Sequence, residues 1–309
     1  MNKTYDRENV FLVPRSSDVN SRDEVDLSVE LGSLKLEIPI VGSPMKGIMN
    51  PKLVKKLSGW GGIGILHRFC SDEKFRINID KVQGYKFGQA VGLGDIDRAE
   101  YAVEYGAAII CVDVANGYLS SVLDFCDEVA NYITQSGHNT LLMCGNVVNM
   151  EGVNNLIVSG VDIVRIGIGT GNLCRTKQKT KVGYGQVTAL MDCAMSDVFL
   201  ISDGGIKEPG DAVLDLACGA DLVMIGSLFA QTFESAHNGE IYGMASRRLQ
   251  EDYHHSVKSV EGIEQQVYKT VDFDTFMEEF LYGMKSSFTY QNARNIRELQ
   301  ENAEFVEIL

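Results

Sequence analysis

The chain has 309 residues, 45% of them hydrophobic and 23% charged, with a formal net charge of −14. This length and composition suit a large globular core, whereas the acidity argues against binding nucleic acid or an anionic membrane, since both need a basic face. No apolar run approaches the ~20 residues of a membrane span. The start, MNKTYDRENV, lacks the apolar core of a secretory signal. We therefore expect a cytoplasmic protein with neither nucleic-acid nor membrane partners.

Eight short apolar runs follow one another along the chain and predict buried strands. They span 36–42, 62–66, 85–93, 107–113, 140–145, 162–167, 198–205 and 221–227. Segments with helical periodicity separate them; in 118–133 the apolar side chains are Val122, Phe125, Cys126, Val129 and Ile133. Three of the strands are entered through a glycine that should end the preceding helix, within 105–113, 159–167 and 218–226.

This alternation predicts the α/β class and a (β/α)8 TIM barrel, with a doubly wound open sheet as the alternative. We expect residues 1–309 to form a single catalytic domain. In it, 1–35 would be an N-terminal extension and 240–270 a flap or insert after the eighth strand. The apolar positions of 273–284 predict an amphipathic helix that packs against the barrel.

The seven cysteines are odd in number and irregularly spaced, which favours reduced thiols over a disulfide framework. Five lie in apolar strand-like or helical segments, where burial is expected: Cys111, Cys126, Cys144, Cys193 and Cys218. Cys174 differs, because it follows the alternating glycines of GIGTGNLCRT (167–176) at the end of an apolar strand. Such a loop can approach a ligand closely, which makes Cys174 a candidate nucleophile, although a plain turn is the alternative.

Two further glycine-bearing segments end the seventh and eighth predicted strands, SDGG (202–205) and IGS (225–227). A (β/α)8 barrel carries its active site at the C-terminal ends of its strands and commonly holds phosphate after strands 7 and 8. Backbone amides of glycines suit that role. The basic run RTKQKTK (175–181) would attract an anion, or else is a solvated loop. The sequence thus predicts a thiol nucleophile beside a phosphate site.

From 21–28 to 286–293, the chain resembles the inosine-monophosphate dehydrogenase and guanosine-monophosphate (GMP) reductase superfamily. The resemblance is carried by DVANGY (113–118), GNV (145–147), GIGTGNLCRT (167–176), TKVGYGQ (180–186), SDGGI (202–206), MIGSLFA (224–230), YGMAS (242–246) and VEG (260–262).

Three features favour the reductase branch of this superfamily. The dehydrogenases usually insert a regulatory pair of small (CBS) domains after the second helix, whereas here the interval from Leu66 to Tyr85 has room for one helix. Their mobile flap carries an Arg-Tyr pair that activates water, whereas the 14 residues between Ser246 and Glu261 contain no such dipeptide. HRF (67–69), TKVGYGQ and VEG also resemble the reductases.

The resemblance implies an NADPH-dependent oxidoreductase of purine metabolism that deaminates GMP to inosine monophosphate (IMP) and ammonia. Cys174 would attack carbon 2 of the purine to form a thioimidate, which hydride would then reduce. Thr176 and Glu261 match the positions that orient and protonate the leaving amine. The substrate-binding matches are Asp203 for the ribose, Gly204, Gly205, Gly226 and Ser227 for the phosphate, and Gly243, Met244 and Lys258 for the rest of the nucleotide.

The cofactor positions that the resemblance implies are His67, Arg68, Asp113, Asn116 and Gly117. It also implies a potassium site made by the backbone carbonyls of Gly169, Gly171 and Cys174, and a homotetramer. The chain departs from the family at Lys46, at Asn172 and in YQNA (290–293). Two other readings stay open: a dehydrogenase without the regulatory domain, and a purine-nucleotide-binding protein without turnover.

Overall fold

The computed structural model describes residues 3–171, 174–236, 239–243, 246–254, 260 and 262–308. The strands of these residues are β1 Val10–Leu12, β2 Val29–Leu31, β3 Leu34–Leu36, β4 Ile40–Gly42, β5 Ile63–Leu66, β6 Phe87–Val91, β7 Ile109–Asp113, β8 Leu141–Val147, β9 Ile163–Ile166, β10 Phe199–Asp203, β11 Leu222–Ile225, β12 Glu240–Tyr242, β13 Glu264–Gln266 and β14 Phe305–Glu307.

The α-helices of the same residues alternate with the strands over most of the chain. They are α1 Pro51–Gly59, α2 Asp72–Lys81, α3 Ile96–Glu104, α4 Ser120–Ser136, α5 Met150–Val158, α6 Thr176–Thr180, α7 Gln186–Cys193, α8 Pro209–Ala217, α9 Arg247–His254, α10 Phe273–Tyr290 and α11 Ile296–Asn302. Short 3-10 helices occupy Arg7–Asn9, Arg22–Glu24 and Ser227–Gln231.

Strands β4 to β11 run parallel and close into a barrel in chain order, because β11 pairs with β4. Each of the eight predicted strands overlaps one of these barrel strands, so the (β/α)8 prediction is confirmed and the open-sheet alternative is wrong. Between β5 and β6 the described chain contains α2 and no inserted domain.

Side chains of the barrel strands alternate between an inner cluster and an outer layer beneath the helices. The inner cluster includes Val41, Ile63, Ile65, Cys111, Met143, Ile163, Ile201 and Met224. The β2–β3 hairpin adds Leu31, Leu34 and Leu36 to it. Because Leu36 comes shortly before β4, this hairpin closes the N-terminal end of the barrel.

The helices bury the apolar faces that the sequence predicts. Helix α4 buries all five expected side chains and ends at Gly137, whose φ of 72° permits the left-handed cap. Helix α10 extends beyond the expected 273–284 and packs against α8 and α1. The five cysteines expected in the core are buried.

Aspartates lie at two of the three predicted junctions where a helix ends at a glycine and leads into a strand. The Asp162 carboxylate accepts a 2.8 Å hydrogen bond from the amide of Leu142, and Asp221 accepts one of 2.7 Å from Leu200. Each aspartate comes directly before its own strand and holds the start of the preceding barrel strand. These bonds fix the register at the N-terminal end of the barrel, where another cavity lies. Among the described residues, no helix is both long and apolar enough to cross a membrane.

Candidate active site

A cavity of about 760 Å³ lies at the C-terminal ends of the barrel strands, a volume within the usual range of small-molecule sites. Twelve of the expected site residues line it: Asp113, Asn116, Gly169, Gly171, Cys174, Thr176, Asp203, Gly204, Gly205, Gly226, Ser227 and Gly243. His67, Arg68 and Gly117 are not among its lining residues. Met244, Lys258, Glu261 and Asn172 fall outside the residues that the structure describes.

Cys174 is half-buried on the loop between β9 and α6. Its Sγ atom lies 3.2 Å from the Thr176 hydroxyl, at the start of α6. The Cys174 amide donates to the Gly171 carbonyl at 2.9 Å, so the loop curls back on itself before the thiol. Cys174 also forms an isolated antiparallel bridge with Gly262. This bridge brings the segment after the barrel against the candidate nucleophile.

The glycine loop packs against Lys177, the first lysine of the basic run. Gly169 has a φ of 74°, and a Cβ there would come within 2.5 Å of the Lys177 Cγ atom. Glycine is therefore required for both its backbone angle and its lack of a side chain. The Lys177 ammonium lies 3.0 Å from the Asp6 carboxylate. This lysine is thus held by an ion pair with the N-terminal segment instead of standing free in solvent.

Arg165 lies inside the barrel between two carboxylates. Its Nη1 atom donates to Asp113 at 2.9 Å and its Nη2 atom donates to Asp203 at 2.8 Å. Burial opposes the charge of Arg165, but Asp203, Cys111 and Asp113 outweigh that effect and raise the pKa of the guanidinium. The sequence reasoning missed this residue. The sequence feature that could have revealed Arg165 is a single basic side chain on the inward face of an otherwise apolar strand.

The two carboxylates present acceptors to the cavity. Asp203 also accepts a 2.7 Å hydrogen bond from the side-chain amide of Asn146, which the sequence analysis quoted in GNV without a role. The Oδ2 atom of Asp113 is buried and has no hydrogen-bond partner in the structure. A buried acceptor of this kind is costly to leave unpaired, so a donor from a bound ligand would stabilise it.

The turn after β10 has the backbone that an anion site requires. Gly204 and Gly205 have φ values of 86° and 83°, which other residues rarely adopt. The hydroxyl of Thr170 donates to the carbonyl of Asp203 at 2.8 Å and ties this turn to the glycine loop. Gly226 and Ser227 begin the 3-10 helix after β11, on the same cavity. The two glycine segments therefore line the same cavity, as the barrel prediction requires.

The residues at the end of β5 lie at the edge of this site. Burial, together with the charges of Lys46 and Lys74, lowers the pKa of His67 to about 4, so its imidazole is neutral near pH 7. The Arg68 guanidinium lies over the ring of Phe69, with 4.5 Å from its central carbon to the ring centroid. Phe69 and Lys46 do line the cavity.

A second half-buried cysteine, Cys70, also lies after β5. No glycine loop marks the position of Cys70 in the sequence. Burial raises the pKa of the Cys70 thiol, which disfavours its nucleophilic form. Among the described residues, no cluster of three or more His, Cys, Asp or Glu side chains could hold a metal ion.

The sequence model of the IMP dehydrogenase / GMP reductase domain matches residues 2–309. GMP reductase 2 of Homo sapiens is 31% identical over 332 residues, which cover 98% of this chain and 94% of the human protein. GMP reductase of Caenorhabditis elegans is 30% identical, with coverage of 98% and 91%. Inosine-5'-monophosphate dehydrogenase of Helicobacter pylori is 32% identical over 93% of this chain and 66% of that protein. The chain belongs to the IMP dehydrogenase / GMP reductase family, whose members are oxidoreductases.

Proposed function

We propose that this protein is a GMP reductase, which converts GMP to IMP and ammonia with NADPH as the reductant. The observation that carries the proposal is the meeting of three groups on one cavity. These are the Cys174 thiol beside the Thr176 hydroxyl, the Asp203 carboxylate and the glycine turn at 204–205. They correspond to a nucleophile, an acceptor for ribose hydroxyls and a donor set for phosphate. The near full-length match to proteins named GMP reductase supports the same reaction.

In this proposal the Cys174 thiolate forms a bond to carbon 2 of the guanine ring. The exocyclic amine leaves as ammonia after taking a proton, and the product of this step is a thioimidate. Thr176 positions the amine, since its hydroxyl reaches the thiol at 3.2 Å. Glu261 supplies the proton. Hydride supplied to carbon 2 would then release the Cys174 thiolate and IMP, with one NADPH consumed for each ammonia.

The described residues fit a nicotinamide cofactor. Asp113 lines the cavity, and its buried Oδ2 atom, which has no partner in the structure, can accept a hydrogen bond from a carboxamide or hydroxyl group. We propose that Asp113, Asn116 and Gly117 contact the nicotinamide end, and that His67 and Arg68 lie towards the cofactor phosphates. NADPH, when bound, would supply the hydride. Because His67 is neutral near pH 7, Arg68 would provide the cationic contact at this end.

We propose further nucleotide contacts, a potassium site and a mode of assembly for the same enzyme. Gly243, Met244 and Lys258 would contact the nucleotide, and the carbonyls of Gly169, Gly171 and Cys174 would bind potassium, a hard cation that suits backbone oxygens. Residues 1–309 would act as one catalytic domain, with 1–35 as an extension and 240–270 as a flap over the site. The enzyme would act in the cytoplasm as a homotetramer, a state that light scattering of the purified protein would test.

The second candidate is an IMP dehydrogenase, which the 32% identity to the Helicobacter pylori enzyme favours. That reaction needs a base to activate water, and the interval between Ser246 and Glu261 lacks the Arg-Tyr dipeptide. The paired strands β12 and β13 flank this interval. The small number of residues between Ser246 and Glu261 supports the reductase.

The test is to assay the purified protein with potassium present in two reactions run side by side. We expect GMP to drive loss of NADPH absorbance with one ammonia released per NADPH oxidised. Reduction of NAD in the presence of IMP would instead establish the dehydrogenase. No turnover in either reaction, with GMP binding retained, would indicate a nucleotide-binding protein.

A further inference from the structure

The N-terminal 3-10 helix places Arg7 against the outer wall of the barrel, beneath the end of β10. Its guanidinium forms a two-pronged ion pair with Asp215 of α8: Nε donates to Oδ1 at 2.8 Å and Nη2 donates to Oδ2 at 2.6 Å. The side chains of Arg7 and Asp215 are 10% and 0% exposed. This is a buried charge pair on the opposite side of the strand from the cavity.

The same guanidinium supports the turn that faces the cavity. Its Nη2 atom lies 3.0 Å from the Gly204 carbonyl and 3.2 Å from the Ser202 hydroxyl. A Cβ atom on Gly205 would come within 2.7 Å of the Arg7 Nη1 atom, so the guanidinium packs directly against this glycine. Arg7 therefore holds the back of the turn at 203–205, while Gly204 and Gly205 line the cavity and Arg7 does not.

Neighbouring contacts fix the position of Arg7 itself. The Asp6 carboxylate accepts a 2.9 Å hydrogen bond from the amide of Gln186 and pairs with Lys177. Ser202 donates to Asp215 at 2.6 Å and accepts from the Gln186 side chain at 2.8 Å. The guanidinium thus belongs to a network that joins Asp215, Ser202 and the side-chain nitrogen of Gln186.

A buried ion pair is a weak source of stability, because desolvation of both charges offsets their attraction and an apolar pair of similar volume is often as stable. What an apolar pair cannot provide is a fixed donor for the Gly204 carbonyl. We propose that Arg7, held by Asp215, is a positioning residue that keeps the turn at 203–205 in the shape that binds a phosphomonoester. This inference rests on the proposed function, because it assigns the phosphate of the nucleotide to that turn.

The test compares ligands with and without the phosphate on folded variants. Arg7→Met together with Asp215→Leu replaces the ion pair by an apolar pair and leaves no unpaired buried charge. Calorimetry without cofactor would give the dissociation constants of GMP and guanosine. We expect GMP binding to weaken about ten- to a hundredfold, the loss typical of a hydrogen bond to a charged group. Guanosine binding should stay unchanged.

A second variant keeps the inference testable if the double substitution fails to fold. Arg7→Lys retains a cation for Asp215 but lacks the planar fork that reaches Asp215 and Gly204 together. We expect it to weaken GMP binding selectively as well. Unchanged GMP affinity in a folded variant, or equal losses for GMP and guanosine, would overturn the positioning role.

Inorganic phosphate separates this inference from the proposed function. If the unmodified protein binds phosphate but not GMP, the proposed function fails, and the effect of Arg7→Lys on phosphate affinity still tests the positioning role. A phosphate affinity that is the same in both proteins would then overturn it.

Discussion

The two ends of the barrel both carry partly or fully buried aspartates, but their partners differ. At the N-terminal end, Asp162 and Asp221 accept backbone amides of neighbouring strands. At the C-terminal end, Asp113 and Asp203 end β7 and β10 and share the buried cation Arg165. A carboxylate bonded to a backbone amide fixes strand register, whereas a carboxylate paired with a cation beside the cavity can also accept a hydrogen bond from a ligand. The first arrangement serves the fold and the second serves the site.

The largest expected effect comes from comparing one cysteine at each end of the barrel. Cys174→Ala at the C-terminal end should lower kcat by about a thousandfold or more, equivalent to about 4 kcal/mol, because the nucleophile is lost. Its melting temperature should stay close to that of the unmodified protein. The matched control is Cys218→Ala beside the N-terminal cavity, which should lower the melting temperature slightly and retain kcat. Comparable activity in the two variants would contradict a covalent role for Cys174.

The next effect concerns the cation at the C-terminal end. Arg165→Met would leave two buried carboxylates without their counter-charge, and we expect the free energy of unfolding to fall by about 3 to 5 kcal/mol. Arg165→Lys keeps the charge but cannot bridge Asp113 and Asp203 with a planar fork, so its loss should be smaller. Urea denaturation monitored by fluorescence would measure both. If Arg165→Met and Arg165→Lys lower the free energy of unfolding equally little, the two aspartates do not depend on this cation.

The strands could be predicted from sequence because the apolar residues of each short run are sufficient by themselves to indicate a buried strand. The Arg165 cluster could not, because its partners Asp113 and Asp203 lie 52 and 38 residues away in the chain. Only closure of the barrel brings them together. The loop that carries Cys174 could be predicted from the sequence only in part. Its glycines mark it in the sequence, but its contact with Lys177, and through that residue with Asp6, depends on how the N-terminal segment packs.

A third substitution separates ligand binding from strand register. Asp203→Asn removes the anionic acceptor facing the cavity, and we expect the KM for GMP to rise about ten- to a hundredfold. Asp162→Asn makes the same chemical change at the N-terminal end and should leave that KM unchanged while lowering stability. Steady-state kinetics at saturating NADPH would measure both. A similar rise in KM for the two variants would show that the effect is transmitted through the fold.

The two ends also predict opposite dependences of stability on pH. Burial raises the pKa of Asp221 to about 6 from an ordinary value of 3.8, so the folded protein holds a proton that the unfolded chain has released between these values. Stability from this group is therefore greatest at low pH and is lost as the pH rises towards 6. Asp221→Asn should remove that contribution, of about 1 to 2 kcal/mol. Unfolding measured at pH 4.5 and pH 7 would detect the change in slope.

His67 should show the reverse dependence with a similar amplitude, because its pKa shift is of similar size. Its pKa is lowered from 6.5 to about 4 by burial and by the charges of Lys46 and Lys74. Between these values the unfolded chain binds a proton that the folded protein does not, so stability falls as the pH drops from 6.5 towards 4. His67→Gln should reduce this acid sensitivity by about 1 to 2 kcal/mol and leave the Asp221 contribution in place. An unchanged slope in the His67 variant would mean that this imidazole titrates alike in both states, and the contrast between the two ends would then rest on the aspartates alone.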